Sequence, residues 1–302
     1  MINKLKSFYI MLPQLRFKPA ERFLLFFIVL AACALAGSLI VGFVVHNGPT
    51  TKALRLATVI QDCIIFILPS LMTAVLISSL PANFLKIESA PSIKLLILAV
   101  TAMLVSIPLM NWIVMMNDSL VLPESLSGLE SWMRLHENEA RASVKMLLGD
   151  GSVSSLIIDL LIVGILAGLS EEILFRGTLQ QLFLSSRLNI HLSIWITAII
   201  FSAIHMQFFG FVPRLLLGAY FGYLLWWSRS LWLPVIIHAF NNSIVVYSTW
   251  KSGEISEGGG DSSIDQWGLD SPMLILASAI LTVFIIFRLH REQKSAVIQR
   301  VK

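Results

Sequence analysis

Charge is what this chain has least of. Only 13% of its 302 residues are Asp, Glu, Lys or Arg, while 56% are hydrophobic. Soluble globular chains carry about 25% charged residues, so an ordinary soluble enzyme of this length is excluded. Cysteine is nearly absent too. Cys33 and Cys63, both within apolar runs, make neither a disulfide framework nor a zinc pattern and are expected to be small buried residues. The net charge of +4 forms no interleaved basic patch, because Lys and Arg gather toward the two ends; nucleic acid is not an expected partner. Also missing are HExxH, a Ser-His-Asp order and paired aspartates on adjacent apolar segments. Zinc, serine and aspartyl intramembrane chemistries therefore lack their parts.

Long apolar runs fill the space that charge leaves. Eight spans are predicted, at 23–45, 57–80, 93–116, 153–185, 191–207, 211–228, 232–250 and 272–289, since roughly 20 residues cross a ~30 Å hydrocarbon core. The fold class is all-α, a polytopic membrane bundle of about eight helices. At ~1.5 Å per residue the fourth span reaches about 50 Å, so it must tilt, bend or protrude. Leu30-Ala31-Ala32-Cys33 looks like a lipoprotein cleavage box, but a polar lead precedes it and the apolar run continues to Val45. It reads as part of a retained first span.

Lys4, Lys6, Arg16, Lys18 and Arg22 precede the first span, and Arg288, Arg291, Lys294, Arg300 and Lys302 follow or close the last. The positive-inside rule places both ends in the cytoplasm, which needs an even number of crossings. Lys86, Arg187 and Arg229 then fall in inner loops, and the acidic loops 117–152 and 251–271 fall outside. In the first of these, Leu129, Trp132, Met133 and Leu135 recur at helical spacing among charges, as in an amphipathic helix on the membrane surface. The second, with Gly258-Gly259-Gly260, reads as flexible. The chain divides into a basic cytoplasmic segment 1–22, three accessory helices over 23–116, the extracytoplasmic loop 117–152, a core 153–250, and 251–302 with the acidic loop, last helix and basic tail.

Ionisable groups inside spans are costly and mark function by default. Glu171-Glu172-Ile173-Leu174-Phe175-Arg176 places Glu172 four residues before Arg176, the favourable order for a helical ion pair. Glu171 then projects elsewhere, where it could exchange a proton with water; a structural charge network is the plainer reading. Phe201 and His205 share a helical face, and a lone histidine there is more often a hydrogen-bonded core residue. His238 and Asn242 share another face, as donors suited to a developing oxyanion or as an interhelical clasp. Two histidines and a carboxylate could hold zinc, but the spacing matches no zinc motif. No cofactor is expected.

E-E-x-x-x-R, F-x-x-x-H and H-x-x-x-N in that order, with Gly210-Phe211-Val212-Pro213-Arg214, Gly218 and Gly222 between, resemble the CAAX protease and bacteriocin-processing (CPBP, or Abi) family. That family includes the type II CAAX prenyl endopeptidases, and the resemblance covers about residues 150–250. It implies a metal-independent intramembrane glutamic endopeptidase acting on a membrane-associated peptide or protein within the bilayer. By the resemblance Glu171 activates water with help from His205, His238 and Asn242 hold the water or oxyanion, and Glu172, Arg176 and Phe201 order the site. Asn241 lies off that face. The expected location is a bacterial inner membrane. Glu171 lies ~27 Å along its span from residue 153 at the usual rise, which places it in the inner half with a cavity facing the cytoplasm. The alternative is a non-catalytic membrane scaffold or immunity protein; a transporter is disfavoured because no inverted repeat is visible.

Overall fold

The computed structural model describes residues 17–148, 151–252 and 266–301, with side chains left undescribed at 252 and 293–301. All regular structure among them is helical. The elements used below are α1 (Pro19–Val45), α2 (Thr51–Ile77), α3 (Ile93–Val105), α4 (Ile107–Asp118), α5 (Ser127–Leu147), α6 (Val153–Ser185), α7 (Ile190–Ala203), α8 (Phe211–Ser228), α9 (Trp232–Ser252) and α10 (Pro272–Val301).

The first helix shows how lipid replaces water as the solvent. Phe26, Val29, Cys33 and Gly37 form one buried stripe at spacings of three and four. Leu24, Phe27, Ile28, Leu35, Leu39 and Phe43 are as apolar and face outward, which only a hydrocarbon environment makes favourable. Cys33 is buried, but Cys63 faces outward. Its expected burial fails because α2 turns that side away from the bundle.

Five helices are long and apolar enough to cross a membrane: α1, α2, α6, the segment Phe208–Ser228 containing α8, and α10. A sixth crossing arises if α3 and α4, bent by 48°, are one span. The bend falls at Ser106, just before Pro108, whose missing N–H and ring break the helical ladder. α7 is apolar but short, and α9 carries His238, Asn241 and Asn242 within its apolar stretch. Eight helical segments occupy the predicted places, but the count of eight full crossings is not established by length and hydropathy.

Contacts sort the turns into two ends. At one, Leu231 N donates to Lys86 O at 2.8 Å and Lys94 pairs with Glu292 at 2.9 Å. At the other, Thr51 Oγ1 donates to Met146 O at 2.9 Å and Trp250 Nε1 donates to Gly151 O at 2.7 Å. The amphipathic α5 covers this second end, inverted from a soluble helix. Leu129, Trp132 and Leu135 point outward while Glu137 is buried. Its charged side meets the bundle through Arg141, which pairs with Asp118 at 3.2 Å, and Arg134, stacked over Phe209 at 4.2 Å. The loop expected to be flexible over 251–271 lies mostly outside the described residues, Gly258, Gly259 and Gly260 included. So do Lys4, Lys6 and Arg16, and the side chains of Lys294, Arg300 and Lys302.

Candidate active site

The site is built on α6, which is not a uniform α-helix. Two π segments, Leu160–Leu166 and Ile173–Leu179, flank the α-helical turns Ala167–Glu172. Such widened turns recur at functional positions. Side chains settle on the carbonyls of the second one: Thr178 Oγ1 donates to Ile173 O and Gln181 Nε2 to Arg176 O, both at 3.1 Å.

Two close helix approaches make the site possible. A Cβ at Gly168 would lie 2.9 Å from the backbone nitrogen of Ala239, so α9 passes with its backbone against α6, next to His238. Gly164, one turn earlier, faces the Ser243 hydroxyl, which would lie 2.7 Å from a Cβ there. Small residues four apart let membrane helices approach closely. On α8, a Cβ at Gly218 would meet Phe201 at 3.0 Å and the Arg176 guanidinium at 3.2 Å. The gap is used: Arg176 Nη2 donates to Gly218 O at 2.9 Å, and one turn on Gln180 Nε2 donates to Gly222 O at 3.3 Å.

The predicted motifs converge across this junction. Arg176 Nη1 donates to Glu172 Oε1 at 2.6 Å, the ion pair expected from the four-residue spacing, with neither side chain exposed. His238 Nδ1 reaches the same oxygen at 2.8 Å, while its Nε2 lies 3.7 Å from Glu171 Oε2. Glu171 keeps 16% of its side-chain surface exposed, against 6% for His238. The Arg176 guanidinium is stacked 4.5 Å over Phe201, and the His238 ring is stacked at 4.7 Å on Phe221. Phe201 stands edge-on between the two histidines, 5.1 Å from His205 and 6.0 Å from His238.

His205 Nδ1 bonds to Phe201 O at 2.8 Å. A carbonyl only accepts, so Nδ1 carries the proton and the Nε2 lone pair of the neutral ring remains available. Asn242 stands one turn beyond His238; its Nδ2 donates to Val163 O at 3.2 Å on the first π segment, and its oxygen accepts from Asn241 at 3.4 Å. One Asn242 amide hydrogen is thus committed to holding α9 on α6.

Several groups escaped the sequence reading. Arg214, noted only as part of a linking stretch, lies within electrostatic reach of Glu171, His205 and Glu137. Its guanidinium donates to Gln207 Oε1 at 2.7 Å and to Gln207 O at 3.3 Å. Asp62 on α2, 1% exposed, accepts from Ser170 Oγ at 2.9 Å beside Glu171. Asp159 forms a two-bond pair with Arg55 at 2.9 Å. The signal for all three was present, a charge inside an apolar span. Arg214, Gln207 and Glu137 also trace the polar surroundings of Glu171 toward the end that α5 covers. The expected opening toward the opposite end is not what these neighbours outline, because helical rise measures depth along α6 but not which helix ends converge around it.

Among the described residues no group of three or more His, Cys, Asp or Glu side chains is placed to hold a metal ion. Residues 153–244 match the family model described as type II CAAX prenyl endopeptidase Rce1-like. No curated protein and no solved structure matches the chain. The match spans the stretch from the start of α6 to just beyond Asn242. The charged junction of α6, α7, α8 and α9 therefore lies within the stretch that is similar to the Rce1-like, CAAX protease kind of domain, in an all-helical integral membrane protein.

Proposed function

We propose that the chain is an intramembrane endopeptidase that hydrolyses a peptide bond of a membrane-associated peptide or protein, with Glu171 as the base. The division of labour between adjacent carboxylates carries the reading. Glu172 is sealed and bonded by both Arg176 and His238, so it orients; Glu171 is the partly accessible one and faces His238 Nε2. In this mechanism Glu171 takes a proton from water as the water oxygen bonds to the substrate carbonyl carbon, and later gives it to the leaving amine. A positioned acid–base contributes about 10²–10⁴-fold.

His205 Nε2 holds the water through its lone pair. His238 Nε2 and the second amide hydrogen of Asn242 line the place of the water and the developing oxyanion, where fixed dipoles in a water-poor site act strongly. Glu172, Arg176 and Phe201 fix the imidazole. The reaction needs no cofactor or metal in this scheme, and activity is expected to survive a chelator. A bacterial inner membrane with both termini cytoplasmic fits the basic residues Lys86, Arg187 and Arg229 at one end of the bundle. Substrate then approaches Glu171 from the α5 side, with its backbone locally unwound.

The test compares peptide ends in membrane proteomes of cells carrying wild type, Glu171→Gln or His205→Ala. Cleavage products present with wild type should disappear with both variants and persist in purified wild-type reactions with EDTA. Full complementation of a deletion phenotype by both variants would instead assign the chain a scaffold role.

A further inference from the structure

Four non-glycine residues among those described have positive φ, and three of them are basic: Lys86 (62°), Arg187 (63°) and Arg229 (59°). Each lies just past a helix C-terminus, where glycine is the ordinary occupant of a left-handed position. The fourth, Met206 (54°), lies at the other end of the bundle beside His205. A strained position kept by a long cation points to a use for the side chain.

Two of these turns are joined. Leu231 N donates to Lys86 O at 2.8 Å, Ser230 Oγ donates to Ser89 O, and Trp232 Nε1 donates to Ile87 O at 3.0 Å. Lys86 is half-buried and Arg229 exposed, and the Arg229 guanidinium lies 4.0 Å over the Trp226 ring. Neither cation is within ion-pair distance of an acid among the described residues. The nearest charge of opposite sign acting on Lys86 is Glu88, whose carboxylate accepts from Asn83 at 3.2 Å. Two like charges thus leave adjoining turns at the edge of the apolar bundle, flanked by two tryptophans of the kind that settle at headgroup level.

We propose that Lys86 and Arg229 form a binding site for the phosphate of an anionic membrane lipid. The phosphate is shared by both cations, and the lipid's acyl chains run along the outward apolar faces of the adjoining helices. Burial and then the charge of Arg229 hold the Lys86 ammonium below its ordinary value, a cost that a bound phosphate offsets. Basic pockets between membrane helices bind lipid headgroups by this chemistry. The site lies at the opposite end from α5 and is independent of the peptidase reading.

The test is thermal unfolding of the delipidated full chain in neutral detergent, titrated with phosphatidylglycerol, phosphatidylcholine or inorganic phosphate. The decisive variant is Lys86→Gly with Arg229→Gly, because glycine takes a positive φ without strain and the fold is kept. Phosphatidylglycerol should raise the wild-type midpoint, and half-saturation should move up about tenfold or more in the double variant. Arg229→Lys should retain most of the response. Unchanged half-saturation in the double variant overturns the site. Equal half-saturation with phosphatidylcholine overturns its dependence on net charge, and with inorganic phosphate it overturns the lipid as the source.

Discussion

His238 donates Nδ1–H to Glu172 at 2.8 Å and turns Nε2 toward Glu171 at 3.7 Å, so one imidazole joins two consecutive carboxylates that leave α6 in different directions. Arg176 completes the junction from below on the same Glu172 oxygen. One of two neighbours in sequence is thereby sealed and the other left partly accessible, and the consequence of that difference can be measured.

Glu172→Ala leaves the fully buried Arg176 guanidinium without its carboxylate and should cost about 3–5 kcal/mol. Glu171→Gln keeps the size of a partly accessible side chain and should cost about 1 kcal/mol, while cleavage falls about 10²–10⁴-fold. Reversible unfolding in mixed micelles, beside a cleavage assay, separates the two. Equal destabilisation by both substitutions would make Glu171 a structural residue.

Gly168→Leu should push α9 off α6, since even a Cβ there lies 2.9 Å from the Ala239 nitrogen. The expected result is loss of the His238–Glu172 and Asn242–Val163 bonds together, seen as inactivity with helix content preserved by circular dichroism. Full activity in Gly168→Leu is incompatible with this packing.

The Arg55–Asp159 pair ties α2 to α6 with little solvent access, the side chains being 13% and 2% exposed. Arg55→Ala should cost about 3–5 kcal/mol by stranding Asp159. The apolar pair Arg55→Met with Asp159→Leu should recover most of that, because two charges no longer need to be desolvated. A double variant less stable than Arg55→Ala argues against the account.

Glu130 anchors α5 by accepting from Leu122 N and Arg134 Nε, each at 2.9 Å. The Leu122 amide first, and then Arg134, hold its carboxyl below the usual range. A lowered native value means stabilisation that is complete above the ordinary glutamate value of about 4.3 and is lost as pH falls through the native one. Hydrogen exchange over 120–147, corrected for intrinsic rate, should therefore rise on acidification. Glu130→Gln should flatten that dependence; an unaltered pH response in the variant assigns it to other groups.

Much of the site was legible because its signals are local. Glu172 with Arg176, Phe201 with His205 and His238 with Asn242 each lie four residues apart, so a single helix fixes each relationship. The reading failed where partners come from distant segments. Phe221 beneath His238 and Asp62 against Ser170 are neighbours only after packing. The outward-facing Leu129 and Leu135 of α5 lie where an amphipathic helix on the membrane surface would put them, because which side meets protein depends on the medium outside.

The membrane class, the helical class and the candidate site residues were read from the sequence alone, because scarce charge and four-residue spacing act within one segment. Tertiary structure decided which of the two carboxylates is sealed, which distant polar groups lie near Glu171, and how α9 comes near enough to matter. Those outcomes depend on backbone approach at Gly168 and Gly218 and on which carboxylate is sealed from solvent, and both are set only when helices far apart in the chain pack together.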